Sequence, residues 1–302
     1  MYPSPTLKMN FLLPSSALAA LSALLCAPAV GLAQSILRTV GDFTLFGGTA
    51  ITNAGTTAIS NGNVGLSPAA TSSITGFSSV TFTNGAIIDT GPATAQARTD
   101  LIAARTGLAA MTPTANLTSF DLGGMTLTPG VYKFDAAAAQ TGTLTLDANF
   151  QNSVAWVFQI GTTLTTATNS SVIVINLGSN QGSDLGLFWN AGAGAINIGT
   201  NNTVAGNYLA GTSITFTSLA TGSGRALALA AVTLDTDSIN TRGGPGPIGS
   251  DWTGGLSFAG DNTTVVLTAI PEPAAVLWLA PLGAFGFVIW RRAVRGKIKT
   301  AA

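Results

Sequence analysis

The 302-residue chain has no histidine, one cysteine (Cys26) and one glutamate (Glu272). Without histidine, no Ser/His or Cys/His catalytic arrangement can be built, and the usual zinc ligand sets are missing. A pair of glutamates for acid/base work is equally absent, so aspartate is the only carboxylate present in number. Charge is scarce: Asp, Glu, Lys and Arg make up 8% of the residues, against about 25% in an ordinary globular domain. Twelve basic and twelve acidic residues cancel formally, but half of the basic ones sit at the two ends. Between Gln34 and Ile270 the basic residues are Arg38, Arg98, Arg105, Lys133, Arg225 and Arg242, set against eleven aspartates. Such a body has no basic stripe to neutralise phosphates, which argues against nucleic acid as a partner. In place of charge the chain has 36 glycines and about 40 threonines. This composition points away from an enzyme, and it implies no metal and no cofactor.

Both ends read as targeting segments. Lys8 precedes a small-residue apolar stretch, and Gly31-Leu32-Ala33 offers a cleavage site before Gln34, which predicts a secretory signal over 1–33. Removing it would leave a chain without cysteine, independent of disulfides in an oxidising compartment. At the other end, Pro271-Glu272-Pro273 is followed by an uncharged apolar run, 274–290. A basic tail comes next, with Arg291, Arg292, Arg295, Lys297 and Lys299. The run is at the short end of what spans a bilayer, and the basic tail would stay cytoplasmic. The order resembles the Pro-Glu-Pro C-terminal sorting signal of bacterial surface and exopolysaccharide-associated proteins. In that family an exosortase-type membrane enzyme recognises the tail, a transient membrane anchor, and cleaves it. The product is exported to the cell surface or extracellular matrix, where exopolysaccharide is a candidate partner. Residues 241–270, with Gly243-Gly244-Pro245-Gly246-Pro247, read as a linker between body and signal.

The body, 34–240, is a series of short apolar alternations separated by Gly, Asn, Ser and Thr, the pattern of many short strands. One stretch differs. Within 92–111, Ala93, Ala97, Leu101, Ala104, Leu108 and Met111 recur in steps of four and three, on one face of a helix. Thr90 or Gly91 can cap it, and Pro92 suits its first turn. The strands repeat: Ile196, Ile214 and Val232 are 18 apart, as are Ile198, Phe216 and Leu234. A second register places Phe188, Tyr208 and Ala228, and also Leu144 and Leu164, 20 apart. A period of 18–20 predicts a β-solenoid with successive turns about 4.8 Å apart. A β-sandwich is the rival, but it leaves unexplained why inward positions stay apolar from repeat to repeat. Alternation then points Thr145, Thr165, Asn197, Thr215 and Thr233 outward on one face. Asp235 and Asp237 are the only close carboxylate pair. Their spacing is compatible with an acid pair or a Ca²⁺ site, although no Lys or Arg stands beside them in sequence.

Several stretches together resemble the microbial ice-binding-like proteins of the single-domain β-helix class. They are Gly62-Asn63-Val64-Gly65-Leu66-Ser67-Pro68, Asp121-Leu122-Gly123-Gly124-Met125-Thr126-Leu127-Thr128-Pro129-Gly130-Val131-Tyr132, Trp156-Val157-Phe158-Gln159-Ile160-Gly161, Thr163-Leu164-Thr165-Thr166-Ala167 and Ala231-Val232-Thr233-Leu234-Asp235. The resemblance covers roughly residues 36–240. It implies a mainly β fold: an irregular right-handed β-helix of triangular cross-section with one long α-helix packed alongside. It also implies a secreted or surface-associated protein that adsorbs to ice through a flat Thr-rich face. Relatives carry Thr-(Ala/Gly)-x-(Thr/Asn) motifs on that face. Thr166-Ala167-Thr168-Asn169 matches fully, while Thr200-Asn201-Asn202-Thr203 and Thr221-Gly222-Ser223-Gly224 match in part. Thr166, Thr168, Asn169, Thr200, Thr203 and Thr221 are therefore candidate ice contacts by resemblance, and the Thr145 to Thr233 set is a second candidate face. A non-ice matrix or adhesion module of the same fold is the alternative.

The two end signals predict a mature protein that begins near Gln34 and ends near Pro271-Glu272-Pro273. Mass spectrometry of the surface-associated product tests this, and an intact 274–290 segment would make the tail a permanent anchor.

Overall fold

The computed structural model describes residues 35–242 and 250–267. The 1–33 secretory segment, Pro271, Glu272, Pro273, the 274–290 run, Arg291 and Arg292 lie outside the described residues.

Most strands pair in parallel and form three ladders. The first holds Ala115–Asn116, Gly130–Phe134, Ala155–Ile160, Gly186–Ala191, the later halves of Thr203–Ala210 and Thr221–Ala228, then Phe43–Gly47, Asn63–Leu66 and Ile87–Ile88. The second holds Ala138–Gln140, Leu164–Thr166, Ile196–Ile198, Ile214–Phe216, Ala231–Leu234, Ala50–Asn53 and Ile74–Thr75. The third holds Thr126–Leu127, Thr143–Asp147, Ser171–Ile175, the first residues of Thr203–Ala210 and Thr221–Ala228, then Ser238–Asn240, Ala58–Ser60 and Thr81–Thr83. Strands Thr203–Ala210 and Thr221–Ala228 run through the first and third ladders and join them into one 15-stranded sheet. From residue 130 to 240 the chain visits the three ladders in a fixed order.

Spatial order departs from chain order at one seam. The strands of residues 43–60 do not continue from a neighbour in sequence; they stack on those of 225–240, with Leu45 opposite Ala226, Ile51 opposite Val232 and Ile59 opposite Ile239. Helix α1, Pro92–Ala110, then returns the chain to the far end of the stack. Its 19 residues span about 28 Å, close to six strand spacings of about 4.8 Å.

The helix forms where the sequence places it. Gly91 is its cap, Pro92 fills the first turn, and the Gly91 N–H donates to Thr94 Oγ1 at 2.9 Å. Ala97, Leu101, Ala104 and Leu108 are buried as their spacing predicts, whereas Ala93 is exposed and Thr94 takes the inward place. The apolar stripe lies on the outward side chains of the first ladder, Val131, Val157, Phe188, Leu209 and Leu227. Polar contacts then fix its position: Gln159 Nε2 donates to the carbonyls of Leu108 (2.7 Å) and Met111 (2.8 Å), and Arg105 to that of Ala191 (2.8 Å).

Two expectations change. The 241–270 stretch holds a packed part rather than a plain linker. Within it Leu256–Phe258 pairs antiparallel with Val265–Leu267, and Trp252 is fully buried. Gly107 lets this hairpin approach α1, because a Cβ there would meet Val265. The 20-residue register is also off. Tyr208 lies opposite Trp189, not Phe188, and Ala226, not Ala228, follows it. Phe188 faces the helix, while Tyr132, Phe158, Trp189 and Tyr208 form an inward aromatic column. Its rings are stacked, with centroids 5.6, 4.1 and 5.8 Å apart in turn. Insertions between strands shift the spacing, so a fixed period picks the wrong neighbour.

Replacing Phe158, at the centre of this column, with Ala should lower stability by about 3–5 kcal/mol. Chemical denaturation would measure it, and a change below about 1 kcal/mol would show that the column contributes little.

Candidate functional site

The inward residues of the second ladder, Ala138, Leu164, Ile196, Ile214 and Val232, are buried, and so is Ile51. Because side chains alternate across a strand, each buried position turns the next one outward. The outward residues fall in register: Ala139, Thr165, Asn197, Thr215, Thr233, Thr52 and Thr75 are successive partners. At about 4.8 Å per step this column is about 29 Å long. Thr52 Oγ1 donates to Thr233 Oγ1 at 3.3 Å. On one side, two residues earlier in each strand pass, lie Ala137, Thr163, Ala195, Ser213, Ala231 and Ala50. On the other lie Thr141, Ala167, Gly199, Thr217, Asp235 and Ala54. Columns two residues apart are about 6.6 Å from one another. The result is a grid of small side chains in which Asp235 is the one ionisable group, with Asp121 bridged to Ala139 at the end of the middle column.

Thr165, Asn197, Thr215 and Thr233, expected on one face from alternation alone, are thus direct neighbours. Thr145 is not with them. It pairs with Thr126 and Ile173 on the third ladder. Leu144 sits opposite Val172 while Leu164 sits opposite Ile196, so their 20-residue spacing joins strands of different ladders. Alternation looks the same on every strand and cannot by itself tell one ladder from another.

The motif residues divide differently. Thr166 is buried, and its Oγ1 accepts from the Gly199 N–H (3.0 Å) and from Asn202 Nδ2. Thr168 is exposed. Asn169 is exposed and left-handed (φ 61°), as are Asn201, Leu219 and Thr236 at equivalent places (φ 57°, 56° and 59°). This conformation turns the chain from the second ladder to the third, and asparagine tolerates it. Asn201 Nδ2 donates to Asn169 Oδ1 at 2.7 Å along this corner. Thr200 is half-buried on the same corner, and its carbonyl accepts from the Asn169 N–H. Thr203 and Thr221 belong to the third ladder, in a registered column of Thr143, Ser171, Thr203, Thr221, Ser238, Ala58 and Thr81. The surface beside that column is broken. Ala205 and Ser223 are buried, Trp252 Nε1 donates to Ser223 Oγ at 2.7 Å, and Ile173 and Ile175 protrude.

Sequence reasoning missed the polar brackets inside the corner. The Ser170 N–H donates to Asn202 Oδ1 (2.8 Å), Ser170 Oγ to the Gln140 carbonyl (3.1 Å), and Gln140 Nε2 to the Ser171 carbonyl (2.8 Å). Nothing in the sequence sets these residues apart from ordinary loop polar groups. Asp237 is another bracket. It is buried and accepts from the Ala220 and Asp235 N–H groups, and burial pushes its carboxyl up to about 6. Asp235 is half-buried beside it, and its negative charge adds to that rise.

Residues 45–240 match the family model described as Ice-binding-like. An ice-binding protein of Nostoc sp. is 42% identical over 208 residues, 68% of this chain and 74% of the relative. Among solved structures, the ice-binding protein of the Antarctic ascomycete Antarctomyces psychrotrophicus aligns with a TM-score of 0.63 at 32% identity. The alignment covers 70% of this chain and 99% of the other. An ice-binding protein from an Antarctic biological consortium gives 0.62 at 32% identity, covering 71% and 95%.

Replacing Thr166 with Val would leave the Gly199 N–H and the Asn202 amide without their acceptor. We expect a loss of about 1–3 kcal/mol in thermal or chemical unfolding, and an unchanged stability would mean the corner does not depend on this hydroxyl.

Proposed function

Because the chain belongs to the ice-binding-like family, we propose that it adsorbs to ice through the neutral grid of the second ladder, with Thr165, Asn197, Thr215, Thr233, Thr52 and Thr75 along its centre. The observation that carries this reading is the unbroken register of seven small, uncharged outward residues. We further propose that the three ladders wind as a right-handed β-helix of triangular cross-section. The fixed order in which the chain visits them supports this.

The chemistry is adsorption rather than catalysis. Threonine is β-branched, so its χ1 is stiff and its methyl and hydroxyl are held at fixed places. Repeating them at about 4.8 Å along the stack and 6.6 Å along the strand presents a surface on which ordered water can sit. Each hydroxyl–water contact is weak. Many of them together hold because the surface is already ordered and little side-chain entropy is lost on binding. The third-ladder column containing Thr203 and Thr221 has the same residue types, but protruding isoleucines and the buried Ser223 beside it break the plane. Export to the cell surface, with transient anchoring through 271–302, accompanies this reading. If the grid does not bind ice, the same export supports an extracellular matrix or adhesion module.

The test is adsorption of the fluorescently labelled protein to a single ice crystal. Thr215→Tyr would raise a ring out of the grid centre and should cut adsorption at least tenfold, with stability within about 0.5 kcal/mol of wild type. Thr99→Tyr, on the exposed side of α1, should leave adsorption unchanged. If Thr215→Tyr adsorbs normally and Thr221→Tyr does not, the site moves to the third ladder. A wild-type protein that does not adsorb would overturn ice binding altogether.

A further inference from the structure

The grid has one flaw, and its chemistry differs from that of the other carboxylate near it. Asp121 sits at the end of the middle column, bridged to Ala139. Its oxygens are occupied: Oδ1 accepts from the Gly123 N–H (2.6 Å) and the Thr141 N–H (2.8 Å), and Oδ2 from Thr141 Oγ1 (2.8 Å). Asp121 is exposed, but three donors from the chain occupy acceptor sites that water would otherwise take. Asp235 is different. It is half-exposed, two residues beyond Thr233 on the same side of the strand, between Thr217 of one pass and Ala54 of the next. Its Oδ1 accepts only from Thr236 Oγ1 (3.0 Å), and among the described residues Oδ2 has no partner. No cation neutralises it either, since the ion pairs of the described residues are Arg38–Asp100, Lys133–Asp135 and Arg225–Asp251.

An unneutralised carboxylate orients the waters around it strongly. Those waters follow the charge rather than the Thr lattice. We infer that Asp235 sets the edge of the ice-adsorbing surface, by holding a shell of charge-oriented water over the corner of the grid beside Thr233 and Thr217. Asp235 limits the area that ordered water can match, and the residue at this position determines how strongly the grid adsorbs. This rests on the grid being the adsorbing surface.

Asn at position 235 keeps the size and retains an acceptor for the Thr236 hydroxyl while removing the charge. Asp235→Asn should therefore adsorb to ice about twofold faster than wild type, as changes of rim charge act mainly on association. Its thermal unfolding should be unchanged. Asp235→Lys, which replaces one charge by another, should show no such gain. The measurement is the rate at which labelled full-length protein accumulates on a single ice crystal, with Thr215→Tyr run alongside. Adsorption of Asp235→Asn equal to or below that of wild type, with the fold intact, would overturn the inference and leave the grid reading standing. A gain in Asp235→Lys equal to that in Asp235→Asn would overturn it too, because charge would then not be the cause. Normal adsorption by Thr215→Tyr, or none by wild type, would overturn both readings.

Discussion

Every outward threonine of the second ladder is placed by the residue before it. Leu164, Ile196, Ile214, Val232 and Ile51 are each fully buried, and a strand has no freedom to turn one side chain in without turning the next out. A slip of one residue would expose the apolar column and bury the hydroxyls, so burial itself enforces the register. The inward column is the source of the outward order. The hydroxyls need no mutual attraction to line up, and the single bond between Thr52 and Thr233 is a consequence of their spacing rather than its cause.

The scarcity of charge follows from the same arrangement. Most of the basic residues in the body work on the chain's own carbonyls or carboxylates. Arg98 donates to the carbonyls of Ser67 and Leu229, Arg105 to those of Ala191 and Gly192, and Arg225 to those of Gly41 and Asp251. Lys133 pairs with Asp135 at 2.7 Å. The arginines tie the helix and the 250–254 segment to strand ends, where backbone carbonyls can accept a further bond. Several aspartates cap N–H groups at turns, as Asp121 and Asp237 do. Most of these charges, exposed ones such as Asp42, Asp89 and Asp135 included, lie off the second ladder, and that face is left nearly neutral.

How much could be read in advance depended on whether a signal was local. The helix was legible because its 3.6-residue pattern, its Pro92 and its cap all lie within twenty residues. The 18-residue step was legible where no loop intervened, and Ile196, Ile214 and Val232 are indeed neighbours on one sheet. Elsewhere insertions defeat a fixed period: Thr165 and its partner Asn197 are separated by the 176–185 excursion. Thr145 went to the wrong face because alternation carries no ladder label. Thr166 carries a motif but is buried, since alternation from Leu164 through Thr165 turns it inward, where its hydroxyl is taken up by Gly199 and Asn202. Trp252 sits in a Gly/Pro-rich neighbourhood that reads as linker, and its burial depends on Ser223 and Leu185, far away in sequence.

The seam between residues 43–60 and 225–240 could not be read at all, because no sequence period crosses it. Its origin is geometric. A stack built in simple chain order would leave the strands of residues 225–240 as an open edge, ready to pair with another chain. Here the amino-terminal strands cover that edge, and the chain must then travel back the length of the stack to begin the remaining strands. A helix about 28 Å long makes that journey with its backbone hydrogen bonds satisfied internally, and its alanine-rich stripe lets it lie close to the first ladder. The length of α1 and the number of strands it passes are therefore one constraint, not two. Because the helix occupies the first ladder, the second and third are the ones left open among the described residues, and the protruding Ile173 and Ile175 interrupt the third. The return path that completes the stack covers the first ladder, and of the two faces it leaves open the second is the one whose outward residues stay small in unbroken register.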